Sequence, residues 1–233
     1  MFINSSTPQQ TENYIISDNE LTNVVALSSS TKTFKKSSSY YFPMGKYNGN
    51  GVTNYDMSFS IKFIPTSSII LKNGTITLKL NNELFKNQIN FFKNADNLLL
   101  NNKNDLLDGL IKNGFNTHPD LYVHVPLVSS TKNHSFININ MVKSYTLQVI
   151  TKFIFDDGNS VKTTDFSGAL TEYNKYDYAN VTFRMMSKFS KNGDKGIRSF
   201  SIVLSTSSIQ FTNKDNSNLD KDNSNEQITL IEI

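Results

Sequence analysis

Period-two alternation of apolar and polar residues limits this chain's fold more than any other feature. Met57, Phe59, Ile61 and Phe63 point one way along an extended segment, and Ser58, Ser60 and Lys62 point the other. Leu121, Val123 and Val125 alternate with Tyr122 and His124, and Ile137, Ile139 and Met141 with Asn138 and Asn140. The same spacing runs through Val181, Phe183 and Met185, and through Phe200, Ile202 and Leu204. Ile209 and Phe211 fall out of phase with that last series, which predicts a β-bulge. Tyr145 to Phe155 reads as one long strand. Between the runs lie turn residues: Asn73-Gly74, Asp156-Asp157-Gly158-Asn159 and Lys191-Asn192-Gly193-Asp194, while Pro65 ends a strand.

One region breaks the pattern. Leu84, Phe85, Ile89 and Phe92 recur at helical spacing, as do Leu106, Leu107, Leu110 and Ile111, with Gly114 as terminator. The Asn-rich stretch from Asn94 to Asn104 predicts a break between two helices. Roughly eight strands and one helical interruption give a mainly β class. The expected architecture is a single jelly-roll-like antiparallel β-sandwich with one helical insertion at about 84–113 and flexible termini. Residues 1–50 are expected to form a polar, partly flexible arm with the first strands, 51–212 the sandwich, and 213–233 a low-complexity tail with an apolar end. The tail holds a near-repeat, Lys214-Asp215-Asn216-Ser217-Asn218 and Lys221-Asp222-Asn223-Ser224-Asn225, before Ile228, Leu230, Ile231 and Ile233. Such an end could dock on a sheet edge.

Composition excludes several chemistries. The 233 residues suit one domain and include 17 Phe and 10 Tyr, enough to fill a core. Cysteine is absent, so there is no disulfide scaffold, Cys-ligated zinc or cysteine nucleophile. No apolar run reaches transmembrane length, and the polar start MFINSSTPQQ does not read as a signal peptide. Asn, Ser and Thr make up 79 of 233 residues, and Lys outnumbers Arg 21 to 2, a bias that AT-rich codons produce. Patterns built from those residues are therefore common by chance, and the sequons at Asn4, Asn73, Asn133 and Asn180 carry no information.

No motif demands catalysis, and the expectation is a non-enzyme with no catalytic residue, metal or cofactor. His118, His124 and His134 lack paired-ligand spacing, although His124 and His134 could face each other across a hairpin. His118-Pro119-Asp120 matches the J-domain tripeptide, but a strand follows it rather than a helix. Asp156-Asp157 sits in a turn where Asp is favoured conformationally.

Nucleic-acid binding fits the charge better. Residues 214–233 hold five acids and two lysines, so the remainder carries about +6 of the chain's net +3. Lysines recur beside aromatics: Lys35 and Lys36 before Tyr40-Tyr41, Lys152 before Phe153, Lys175 before Tyr176, and Lys188 before Phe189. Cations near stackable rings suit single strands, and two arginines are too few for base-specific readout. The candidate nucleic-acid-binding residues are Lys35, Lys36, Lys152, Lys175 and Lys188.

The order of elements adds a resemblance. The strand Ser58–Ile64, the Gly-led strand Gly74-Thr75-Ile76-Thr77-Leu78-Lys79-Leu80-Asn81-Asn82 and a helical segment come first. Phe136–Asn140, Leu147–Phe155, a polar turn and Val161-Lys162 follow. Over about residues 55–165 this resembles the 30-kilodalton superfamily of plant-virus movement proteins. The family's signature aspartate would fall at Asn81 or Asn82, where this chain has amides. Size and composition are also similar to small accessory proteins of segmented negative-strand plant viruses such as emaraviruses. The resemblance implies a single jelly roll that binds single-stranded nucleic acid (viral RNA) without sequence preference and self-associates. It also implies work in the host cytoplasm and at plasmodesmata, with host plasmodesmal or membrane-associated proteins as further partners. The alternatives are a jelly-roll capsid or virion structural protein, and a silencing suppressor or host-interaction module. A secreted toxin or lectin ranks last.

Overall fold

The computed structural model describes residues 13–16, 25–27, 39–47, 53–54, 58–72, 74–112, 122–144, 146–191 and 198–213. The strands, in chain order, are β1 (Asn13–Ile15), β2 (Val25–Leu27), β3 (Ser39–Tyr47), β4 (Thr53–Asn54), β5 (Ser58–Pro65), β6 (Ile69–Lys72) and β7 (Thr75–Asn81). Helices α1 (Lys86–Asn101) and α2 (Lys103–Lys112) come next. Then follow β8 (Tyr122–Val125), β9 (Val128–Ser130), β10 (His134–Met141), β11 (Lys152–Asp156), β12 (Val161–Thr164), α3 (Phe166–Glu172), β13 (Tyr178–Lys191) and β14 (Arg198–Thr212). The protein is mostly β, one large sheet with few helices, in keeping with the mainly β, sandwich-like expectation.

A long hairpin organises the rest. β13 and β14 pair antiparallel from Tyr178 opposite Thr212 to Lys191 opposite Arg198. The outer edge of β13 takes β5 along one half and β3 along the other. The outer edge of β14 takes β8, β10 and β11 in succession, all parallel to it. β7 and β6 extend the sheet beyond β10, and β1 pairs in parallel with β5. The sheet is therefore mixed rather than wholly antiparallel. Only a tight turn forces an antiparallel pair, and long connections separate β14 from β8, β10 and β11 along the chain.

One face of this sheet is the core. Along β13, Ala179, Val181, Phe183, Met185, Ser187 and Phe189 are all buried, and the intervening residues are not. Phe42, Phe189 and Phe200 pack at one end of the hairpin, with ring centroids 5.7 Å apart. In the middle, α1 lays Phe91 on Phe59 at 5.4 Å and Phe92 on Phe183 at 5.6 Å. At the far end α3 and the turn after it bring Phe166 and Tyr176 onto Phe153 and Phe155. Each fully buried Phe contributes about 2–3 kcal/mol before ordering entropy.

Local chemistry explains the joints. Lys72 opposes Thr75 in the β6–β7 hairpin, and Gly74 between them has φ +89°; Asn73 lies outside the described residues. The Asp156–Asn159 turn joins β11 to β12, as its residues predict. The predicted helical segment is α1 and α2, divided at Asn102, whose side chain donates to the Leu98 carbonyl at 2.8 Å. The predicted bulge in β14 lies where Thr182 opposes Ser208 and Arg184 opposes Ser205. Buried Thr206 fills it, its hydroxyl 2.6 Å from the Thr182 carbonyl.

Two local expectations fail as well. Tyr145–Phe155 is not a continuous strand, because β11 begins only at Lys152. Ser144 diverts the chain: its N–H donates to the Gln148 carbonyl at 2.7 Å, its carbonyl accepts from the Leu147 N–H at 3.0 Å, and Leu147 has φ +65°. A turn closed by Ser144 outcompetes the strand. Phe63 does not join the buried row either. A bulge in β5 opposite Asn180 breaks the alternation and leaves Phe63 40% exposed with φ +55°. That conformation costs a bulky L-residue about 1–2 kcal/mol. The tail 214–233, the 192–194 turn, His118-Pro119-Asp120, Met57 and Tyr145 lie outside the described residues.

Candidate nucleic-acid interface

The face opposite the core is unevenly charged. Lys62, Lys72, Lys79, Lys152, Arg184 and Lys188 keep solvent contact on the strands, whereas Lys162 pairs with Glu172 at 2.7 Å and Arg198 stands over the buried Tyr122 ring on the core side. Among the described residues, Asp156 is the one acid that lies in a strand. The register places Arg184, Lys188, Lys152 and Lys79 on the open side, each beside a residue of the exposed parity on the next strand. Ser201, Ser205, Asn138, Asn140 and Thr77 occupy the positions between them. Such a face offers positive charge and short hydrogen-bonding groups with almost no opposing carboxylate.

Aromatic rings punctuate the same face along β13. At one end Lys188 Nζ stands 5.9 Å from the centroid of Tyr41, its cross-strand neighbour on β3. At the other, Phe63 and Tyr178 meet edge to face, centroids 6.2 Å apart and planes at 80°. Arg184 is exposed between them. From Tyr178 to Lys188 the strand spans about 33 Å, the length of several extended nucleotides.

The expected lysines are not gathered into one site. Lys152 opens β11 opposite Ser208, which in turn opposes Thr182, six residues along β13 from Lys188 and so about 20 Å away on the same face. Lys175 ends the short turn Tyr173–Lys175, off the sheet and on the side that α3 covers. Lys35 and Lys36 lie outside the described residues. Sequence reasoning passed over Arg184, Lys79, Phe63 and Tyr178. The alternation of β13 carried the signal for Arg184 and Tyr178, since both share the parity of Lys188.

The two signature positions do local structural work. Asn81 Oδ1 accepts from the N–H groups of Glu83 and Leu84 at 2.9 and 3.1 Å and so starts the turn into α1. Asn82 is a donor: its Nδ2 bonds the carbonyls of Thr131 and Lys132 at 3.1 and 3.2 Å, and its Oδ1 accepts from Ser135 at 2.8 Å. An aspartate could replace the first amide in its role, but not the second.

A part-buried pair lies on the other side. Asp96 and His124 contact at 3.2 Å, Oδ1 to Nε2, and Asp96 Oδ2 accepts from the Leu127 N–H at 2.8 Å. Burial pushes the Asp96 carboxyl above its ordinary value, and the Leu127 and His124 contacts act against that push. His124 packs on Phe200 at 5.1 Å, and Lys103 Nζ lies 5.2 Å from the same ring's centroid. The pair ties α1 to β8 and to the turn before β9. Asp96 continues the helical stripe Ile89, Phe92, Leu99, which is the signal for its burial. His124 and His134 stand on strands that do not pair with each other. Among the described residues no three His, Asp or Glu side chains could hold a metal, and no helix is long and apolar enough to cross a membrane.

No protein-family model, no curated protein and no solved structure matches the chain.

Proposed function

We propose that this protein acts by binding rather than catalysis, and that its open sheet face holds single-stranded nucleic acid without sequence preference. The observation that carries the reading is the set of cations Lys79, Lys152, Arg184 and Lys188 at solvent-facing positions of the sheet, where Asp156 is the one strand carboxylate among the described residues. A polyanion gains from such a face through phosphate contacts and counterion release. Tyr41, Phe63 and Tyr178 supply rings that only unpaired bases can reach. Joined to the resemblance of residues 55–165 to the 30-kilodalton superfamily, this charge supports the reading of a viral movement protein. In that reading the protein self-associates, carries RNA between cells through plasmodesmata, and meets host plasmodesmal or membrane-associated proteins there. A second reading, a virion structural component, draws on the edge strand β8, whose Val123 and Val125 are 64% and 49% exposed.

A salt titration of binding to fluorescent single-stranded RNA, with duplex RNA beside it, tests the reading. Single strands are expected to bind more tightly at about 50 mM salt, with a steep salt slope. Replacing Arg184 and Lys188 together by Ala is expected to flatten that slope by about 1.4. No binding at that salt, or equal binding of duplex, would overturn the reading and leave assembly as the work of the fold.

A further inference from the structure

We propose that Phe63 and Tyr178 form a stacking platform for one unpaired nucleobase, at the β5 end of the open face. The inference rests on the nucleic-acid reading above. It starts from a residue that the fold treats unusually. Period two along β5 would bury Phe63 beside Phe59 and Ile61, both fully buried. The bulge sends it to the open side instead, in a left-handed backbone conformation that bulky residues rarely adopt. The distortion is fastened: the Phe63 N–H, freed from the ladder, donates to Asn180 Oδ1 at 2.9 Å. A strained backbone and an exposed phenyl ring both work against folding, and such features concentrate where a ligand uses them.

The geometry says what that ligand is. Phe63 is 40% exposed, and its ring meets Tyr178 edge to face at 6.2 Å. An edge-to-face contact uses only part of each ring, and the exposure of Phe63 leaves the rest of its ring to a third planar group. Lys62 precedes Phe63 in the bulge, and Arg184 lies further along the same side of β13. A planar ring joined to a polyanion matches this combination, and every base presents such a ring. The occupant is therefore a base of single-stranded RNA held by its π-face, without edge readout.

The test uses a short fluorescein-labelled oligouridylate and its abasic counterpart, bound by the full chain and three variants. Phe63→Gly removes the ring and suits the positive φ, so it is expected to fold at least as stably as wild type. It should bind oligouridylate about tenfold more weakly, with an unchanged salt slope and no loss on the abasic strand. Phe63→Leu keeps an apolar side chain without a π-face and should lose a similar factor, whereas Phe63→Trp should restore binding. Equal binding by wild type, Gly and Leu variants would overturn the platform and leave the basic face standing. Equal losses on both oligomers, or a loss of self-association in place of binding, would reassign Phe63 to backbone geometry or to a protein contact. A wild type that binds neither oligomer would remove both readings together.

Discussion

β13 presents two faces built on one backbone. Ala179, Val181, Phe183, Met185, Ser187 and Phe189 are buried, whereas Tyr178, Asn180, Thr182, Arg184, Met186, Lys188 and Ser190 all keep solvent contact. The first set meets α1 and the aromatic rows; the second meets cations, hydroxyls and amides. Stability and binding thus reside on alternate residues of one strand, and substitutions one position apart should have unrelated consequences.

The sharpest break in that contrast is Phe183→Ala. Phe183 packs on Phe92 at 5.6 Å and on Phe59 at 6.2 Å, so truncation should cost about 3–5 kcal/mol, read as a fall in the urea midpoint. Arg184→Ala beside it should move the midpoint by no more than about 0.5 kcal/mol. Equal effects would mean that β13 does not separate its faces. Next in size is the pair of amides after β7. Asn82→Asp loses two donated hydrogen bonds and sets a carboxylate against two carbonyls, at a cost of about 1–3 kcal/mol. Asn81→Asp keeps both accepted bonds and should be nearly neutral in the same assay.

Asp96 sharpens the comparison from the buried side, as a charge on the core-facing stripe. Its carboxyl is raised above the ordinary value, chiefly by burial, so the folded chain holds that proton to higher pH than the unfolded chain does. Wild type should therefore lose stability relative to Asp96→Asn as pH rises through the elevated pKa, with the full penalty above it. Denaturant midpoints of the two proteins, taken from acid to neutral pH, check the sign. A gap that widened toward acid in favour of Asp96→Asn would refute it. The smallest expected effect compares two cations. Arg184→Glu should weaken RNA binding, while Lys175→Glu, off the sheet, should do so far less, and neither should shift the melting curve appreciably.

Local signals were legible where a few residues decide the outcome. The β6–β7 hairpin, the Asp156–Asn159 turn, the helix break at Asn102 and the β14 bulge all follow from neighbours in sequence. Pairing was not legible, because nothing in β14 marks it as the shared neighbour of β8, β10 and β11. Nor was Phe63, whose bulge depends on Asn180, 117 residues away. The lysine–aromatic doublets misdirect for a geometrical reason. In a strand, consecutive side chains point to opposite faces, so Lys188 and Phe189 cannot share a ligand. The ring that Lys188 does reach, Tyr41, comes from another strand and is visible only through the register.

The placement of β14 also bears on how the chain matures. Four strands made earlier, β8, β10, β11 and β13, wait for β14 to join them. Their backbone groups stay unpaired on that side until synthesis has passed Thr212, so the nascent chain offers several open edges at once. Folding dominated by such distant pairings is slow. During that interval, neighbouring chains on one polysome compete with β14 for the same edges, and a holdase that masks them would raise the yield of folded protein.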